Sequence, residues 1–494
     1  MPAIATIDLD AHVQIAMTHH RQGRLAQALA MYNELLEMDP HNAQANHLVG
    51  LIALQRKAYL QAIEKIEFAI TQQPNEATYH LNLGVAFKAI KQHARALNCF
   101  QTAIQLAPHL ADAHFNLAVV LQATDQLEAA LASYQQAIAL APSNASYLSN
   151  YGAALQMCNQ FDAAIACYDQ AMILHPNDHT IRWNKSLALL HQGDFEHGLP
   201  MFEARWQRDS FTSAKRSFHA PLWLGQDCLQ DKRILLHGEQ GLGDFLQFCR
   251  YVALVAARGA YVILETPPAL AALVQPLQGV SELVIAGKAL PSYDYHCPLM
   301  SLPLACQTRL DSIPPPAQPL YARPPAPMQW AALANASQQA KVGFVWHGNA
   351  AQKNDRHRSM PLEVLLSALP PGKTYVSLQK DITSQEKQTL ANTPHVIDMS
   401  DAIHDFADTA ALCNEMDLVI SVCTSVAHLS ATLQRPTWIL LAHNADWRWL
   451  AQRDDSPWYP SAKLYRQTQR QDWSTVTDAI HQDLLKLQPS ITRP

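Results

Sequence analysis

Charge is scarce along this chain: Asp, Glu, Lys and Arg make up 16% of its 494 residues and the formal net charge is -6. Nothing in that balance provides for a polyanion such as nucleic acid. Paired cysteines are missing too. The nine thiols are scattered, odd in number and without a Cys-x-x-Cys spacing, so free thiols in a reducing compartment fit better than disulfides or a zinc site. The N-terminus lacks a basic start followed by an apolar core, so it offers no signal peptide. The most apolar later stretch, Tyr251 to Leu264, is cut by Arg258 and Gly259 and is too short to span a bilayer. A cytoplasmic protein without a membrane span is expected. Histidine is plentiful at 23, yet His12, His19, His20, His41, His47, His80 and His93 form no His-x-x-x-His set beside a carboxylate, and Asp8-Leu-Asp10 reads as a helix cap. No metal or other cofactor is expected.

What is present divides the chain in two. A 49% hydrophobic content supports packed globular parts, and the length exceeds one ordinary core. In the first part Pro40, Pro74, Pro108, Pro142 and Pro176 fall 34 residues apart, as do Ala28, Ala62, Ala96, Ala130 and Ala164. Gly50, Gly84 and Gly152 hold another register with Ala118 in the missing slot, and Tyr32, Ile66, Phe100, Tyr134, Tyr168 and Phe202 hold a fourth. Small residues where helices cross, a bulky one filling the gap and a closing proline define a helix-turn-helix unit that resembles the tetratricopeptide repeat. Five full repeats run from about Leu9 to Asp178, followed by a divergent sixth through about Arg208. Asn82, Asn116, Asn150 and Asn184 recur at 34 residues on the first helices of their units. Such a row is suited either to gripping the backbone of a protein or peptide acceptor or to bracing neighbouring helices.

The second part alternates strand and helix. Around Arg233 to Arg250 an apolar run breaks at Gly238-Glu-Gln-Gly241-Leu-Gly243-Asp244 and passes into helical spacing. No Gly-Lys-Ser/Thr follows, and the third place after Gly241 and Gly243 is Leu246, so neither a Walker loop nor a dinucleotide fingerprint is met. Strands are expected near 261–265, 282–286, 293–297, 341–346, 374–378, 395–398, 418–422 and 437–441, which implies two Rossmann-like lobes with a cleft between them. A run with seven prolines at 313–327 joins them. The expected domains are a repeat solenoid (1–208), a first lobe (209–312), the connector (313–327) and a second lobe with a final helix (328–494).

The residues of this half carry a resemblance. Gly241-Leu-Gly243-Asp244, together with Asp417 to Ala431, is similar to the GT-B glycosyltransferases related to the ADP-heptose lipopolysaccharide heptosyltransferases. Trp346-His-Gly-Asn349 with Lys353 to Ser359, and Asp446-Trp-Arg-Trp449 with Asp455 to Pro460, resemble bacterial proteins that fuse tetratricopeptide repeats to such a domain, some implicated in flagellin glycosylation. The fold implied is an α-solenoid followed by an α/β GT-B fold of two Rossmann-like lobes. The activity implied is inverting, metal-independent transfer of a sugar from a nucleotide-sugar, here a substrate, to a protein docked by the repeats.

The resemblance implies Asp244 as catalytic base, with Glu239 as its alternate. A carboxylate at a helix start also serves as a cap with a lowered pKa and would then be a weaker base. For the donor, Thr424 and Ser425 open a helix after a strand and offer backbone N–H groups to a phosphate. Lys353, Arg356 and Arg358, expected on a loop, would clamp it. His428 either reaches the donor or is packed core, and Trp447, Trp449 and Trp458 either stack on a ring or fill core. Gly241 and Gly243 are expected to make room for the acceptor. Where the resembled proteins carry Asp before Thr424, this chain has Cys423. Two other readings therefore stay open: an inactive repeat scaffold with a degenerate transferase domain, and a transferase acting on lipopolysaccharide or another glycan.

Overall fold

The computed structural model describes residues 9–208, 211, 216–324, 333, 339–349, 355–393 and 395–489, and side chains other than those of 9–11 and 356. Asp8, part of the Asp-x-Asp read as a cap, lies outside them. Two compact units are present, Met1–Ile181 and Arg182–Pro494.

The first unit is the repeat solenoid. Its helix pairs are Leu9–Arg21 with Leu25–Met38, Ala43–Gln55 with Tyr59–Gln72, Ala77–Ala89 with His93–Leu106, Ala111–Ala123 with Leu127–Leu140, and Ala145–Met157 with Phe161–Leu174. The small register is small for a steric reason. A Cβ on Gly84 would lie 2.5 Å from Phe100 Cε1 and one on Gly152 2.8 Å from Tyr168 Cε1, so the aromatic of the second helix occupies the space the glycine vacates. A further register escaped sequence reading. The turn inside each pair carries a left-handed residue, at Gly23, Lys57, Lys91, Asp125 and Asn159, with φ between 59° and 74°.

The second unit is α/β. Its first sheet contains β1 (Arg233–His237), β2 (Tyr261–Thr266), β3 (Glu282–Ile285) and β4 (Tyr295–Pro298), parallel, in the order β3-β2-β1-β4. The second contains β5 (Lys341–Val345), β6 (Thr374–Ser377), β7 (Val396–Asp398), β8 (Leu418–Val422), β9 (Thr437–Leu441) and β10 (Ala462–Arg466), also parallel, in the order β10-β9-β8-β5-β6-β7. β5 and β8 are buried at every residue, the pattern of strands covered on both faces. β10 was missed because its run, Ala462-Lys-Leu-Tyr-Arg466, carries charge at an edge. Between β2 and β3 the chain forms a 3₁₀ turn, Pro268–Leu270, followed by a single helical turn, Ala271–Val274.

The lobes share one core. The helix Leu242–Phe248, entered from the glycine turn, packs directly on the helix Ser425–Thr432, and a single apolar cluster runs from Ile234 and Phe245 to Leu429, Trp449 and Trp458. The proline connector is pinned rather than loose. Arg250 donates to Pro314 O, Tyr321 N to Leu273 O, Gln318 Nε2 to Thr432 O, and Arg323 pairs with Asp405 and Asp408. The helices His179–Gln192 and Phe195–Phe202 end the repeat series. Phe195 lies 6.0 Å from the Trp447 ring and 5.7 Å from that of Trp458, and Ala451 N donates to His191 O at 2.8 Å. The wear of the sixth repeat follows: its faces are cut to fit tryptophans rather than a seventh repeat.

Candidate functional site

In the second sheet β5 and β8 are neighbours whose chains leave towards opposite edges, which makes their carboxyl ends the switch point where open α/β sheets take ligands. Arg358 bridges the two ends. It stands in a short helix, Asp355–Arg358, not in a loop, and donates Nη1 to Cys423 O at 3.1 Å and Nε to Asp355 Oδ1 at 3.0 Å. Gly348 is glycine because that guanidinium and carboxylate occupy the place of its side chain. Thr424 precedes the helix Ser425–Thr432 in extended conformation without capping it; its hydroxyl lies 3.0 Å from Ser421 Oγ. The first amides of the helix therefore lack a Thr424 side-chain acceptor and suit an anion. Lys353 and the side chain of Arg356 lie outside the described residues.

Asp244 comes from the other sheet. It is the third residue of the helix Leu242–Phe248, where Oδ2 accepts from Gly241 N at 2.9 Å. Its Oδ1 stands 2.6 Å from Arg448 Nη2, an ion pair that lies off the line of a good hydrogen bond. Arg448 also donates Nη1 to Asp446 at 2.7 Å, while its Nε finds no partner among the described residues. A buried guanidinium with an unmet donor is a place for another acceptor. Burial pushes the Asp244 carboxyl up, against the pull of Arg448, and the net direction is above its ordinary value. The expectation that a helix start lowers this pKa is thus corrected: desolvation outweighs the turn's N–H.

The remaining expected residues fall into two groups. His428 is packed, not poised. Its Nδ1 lies 2.9 Å from Tyr459 Oη, its ring stacks on Trp449 at 5.0 Å, and burial lowers its pKa to about 3. Gly243 makes room for this ring rather than for an acceptor, since a Cβ there would lie 2.8 Å from His428 Cδ2. Trp447, Trp449 and Trp458 are buried core. Cys423 accepts from Trp449 Nε1 at 3.1 Å, and burial raises its thiol to about 11, which keeps it protonated. Glu239 is held by both Nε and Nη2 of Arg205, at 2.7 and 3.0 Å.

The asparagine row braces the solenoid at two places. Asn82 Nδ2 lies 2.9 Å from His47 Nε2 of the preceding repeat, and Asn116 accepts from Lys88 Nζ. Asn116 and Asn150 also donate to carbonyls of their own helices, Asp112 O and Ser146 O, each at 2.8 Å. Asn150 lines a 720 Å³ hollow between residues 141 and 181. Asn184 belongs to the second unit. Sequence reading missed Arg448, although it stands between the two tryptophans of a quoted motif, and missed Arg205 and Arg216 altogether, because no local pattern says which carboxylate an arginine will meet.

Models described as tetratricopeptide repeat match residues 13–77, 77–110, 111–144 and 159–210. Protein FlbA of Caulobacter vibrioides (strain ATCC 19089 / CIP 103742 / CB 15) is 24% identical over 323 residues, 60% of this chain and 53% of that one. The chain thus spans about half the length of this curated relative. Among solved structures, YrrB, described as a TPR protein with an unusual peptide-binding site, is 23% identical over 36% of this chain and 93% of its own, with a TM-score of 0.32. TTC0263, described as a thermophilic TPR protein in Thermus thermophilus, is 21% identical over 37% and 99%, with a TM-score of 0.33. The repeats are tetratricopeptide repeats, and they are followed by α/β lobes with parallel sheets. No helix among the described residues is long and apolar enough to cross a membrane.

Proposed function

We propose that the chain is a glycosyltransferase of GT-B type that moves a sugar from a nucleotide-activated donor to a protein acceptor held by the repeats. Flagellin is the acceptor that the resemblance singles out. The observation that carries this reading is the meeting of Asp244, from the first sheet's glycine turn, with Arg448, close to Arg358 and the helix start at Thr424 and Ser425. A carboxylate of raised basicity and an anion-binding end are what transfer from a nucleoside diphosphate needs. The acceptor oxygen bonds to the anomeric carbon as its proton passes to Asp244. The bond from that carbon to the phosphate oxygen breaks, and the nucleoside diphosphate leaves with the charge held by Arg448, Arg358 and the helix amides. A diphosphate also competes with Asp244 for Arg448, so donor binding frees the base. Inversion and metal independence come from the resemblance alone.

The test is a panel of nucleotide-sugars and secreted acceptor proteins, read by intact mass. A donor that binds raises the melting temperature by mass action and adds a glycosyl mass, and Asp244→Asn abolishes the addition while keeping the thermal shift. With wild type, turnover falls as pH drops through the folded-state pKa of Asp244, a limb lying above the ordinary value of an aspartate. A second reading, a repeat scaffold with an inactive lobe pair, is favoured by Cys423, whose thiol is taken up by Trp449. No thermal shift with any nucleotide-sugar would select it.

A further inference from the structure

A second hollow lies in the first lobe. It has a volume of about 260 Å³ and is lined at the carboxyl ends of β1 and β2 and just beyond β3 by His237, Gly238 to Gln240, Glu265, Pro267 and Ala286, with Trp206, Arg216, Phe218 and Phe245 as walls. That volume is below the several hundred Å³ of pockets for drug-sized ligands, so it fits one ring. Its charged groups are paired. Arg216 ion-pairs with Glu265, whose side chain is 5% exposed, and the guanidinium lies over Phe218. Phe218 in turn stacks on His237 at 4.5 Å and on His296 at 4.0 Å. Trp206 Nε1 is buried without a hydrogen-bond partner among the described residues.

The charge excludes an anion. The guanidiniums of Arg205 and Arg216 are met by three carboxyl groups, Glu203, Glu239 and Glu265. His237 and His296 add none, because burial lowers them to about 3 and about 4. Buried carboxylates accept hydrogen bonds from a ligand's donors, the indole N–H gives one to a ligand's acceptor, and the aromatic faces take up C–H surface. A neutral ring with several adjacent hydroxyls matches all three demands.

From the hollow, its carboxylates and the unmet Trp206 donor, we infer that the first lobe holds a monosaccharide-binding site, selective for neutral over acidic sugars and occupied without nucleotide. It goes beyond the transferase reading and stands without it, since binding needs neither donor nor turnover. If the chain is a transferase, the site gives its acceptor a chemistry: a sugar already present on the protein.

The full-length chain is titrated with methyl glucoside, the methyl glycoside of N-acetylglucosamine, methyl glucuronide and adenosine, followed by saturation-transfer NMR and calorimetry without nucleotide. A neutral glycoside is expected to saturate and the glucuronide to bind more weakly. Glu265→Gln should weaken binding by roughly tenfold or more, the scale of one charge-assisted hydrogen bond. Trp206→Phe removes the indole donor with its ring kept, and should weaken binding even if the Glu265 variant fails to fold. Absence of saturation by either neutral glycoside, preference for the glucuronide or adenosine, or affinity unchanged in Trp206→Phe would each overturn the inference. A failed transferase assay with saturable glycoside binding would leave this site standing and remove the transferase reading alone.

Discussion

In the solenoid a side chain finds its partner within about one repeat, whereas at the junction of the two sheets the partners come from opposite ends of the α/β unit. Tyr134 meets Gln122 and Asn82 meets His47. Asp244 meets Arg448, and Arg250 meets Trp458 O. A periodic chain can satisfy its polar groups by repetition, and each repeat then answers mainly to its neighbours. The junction has no such redundancy. One substitution there strands a group that nothing nearby can rescue.

The largest effect should therefore come from Arg448→Met. It leaves the Asp244 carboxylate, 20% exposed, beside an apolar side chain, and removing one partner of a largely buried ion pair costs up to about 3–5 kcal/mol. Chemical denaturation followed by near-ultraviolet circular dichroism reads this locally, because Trp447 and Trp449 flank Arg448 in sequence. The double variant with Asp244→Asn should recover most of the loss. A single-variant loss below about 1 kcal/mol would be that of a solvated pair, and would erase the contrast with the solenoid.

Gly243→Ala sharpens the comparison from the packing side. Its new Cβ would stand 2.8 Å from His428 Cδ2, an imidazole fixed by Tyr459 and Trp449. Gly84→Ala meets the Phe100 ring at 2.5 Å. Overpacking of this kind costs about 1–3 kcal/mol. The expected difference lies in where the cost appears. Gly243→Ala should lower the denaturation midpoint of the α/β unit and loosen the contact between the two lobes, while Gly84→Ala should speed hydrogen exchange only in helices of its own and adjacent repeats. Equal spread of both effects would show that the solenoid is as cooperative as the junction.

The same contrast explains what could be read in advance. The repeats were legible because the crossing position, the aromatic, the alanine and the proline each recur at 34 residues, and periodic burial leaves a periodic pattern. Most strands of both sheets were legible as short apolar runs between turn residues. Of the candidate site only the backbone was legible: the glycine turn and the helix start at Thr424 are local features, and the role of Asp244 came from the resemblance. Arg448, Arg205 and Arg216 were not, since a pair made across 204 positions of sequence, as in Asp244 with Arg448, leaves no spacing to recognise. The direction of the Asp244 pKa was misjudged for a related reason. The amide that lowers it is three residues away and visible in sequence, whereas the burial that raises it exists only in the folded chain.

The smallest expected effect is also the most local. Lys57, Lys91, Asp125 and Asn159 all adopt φ near 60° in equivalent turns, where the unit's first turn has Gly23. For lysine that conformation costs about 1–2 kcal/mol, while asparagine and aspartate tolerate it. Glycine would relieve the strain but widen the unfolded ensemble, which offsets about 0.4–1 kcal/mol of the gain. Lys91→Gly should therefore stabilise its repeat by only about 0.5 kcal/mol, and Asn159→Gly should leave its own unchanged or slightly weaker. Native-state hydrogen exchange across Ala77–Ala89 and His93–Leu106 reads the first, and across Ala145–Met157 and Phe161–Leu174 the second. Matching shifts at both turns would mean that the residue type in the turn does not set the local stability of a repeat. A gain at Lys91 alone would show each repeat responding to its own turn, which is the independence that the junction at Asp244 and Arg448 lacks.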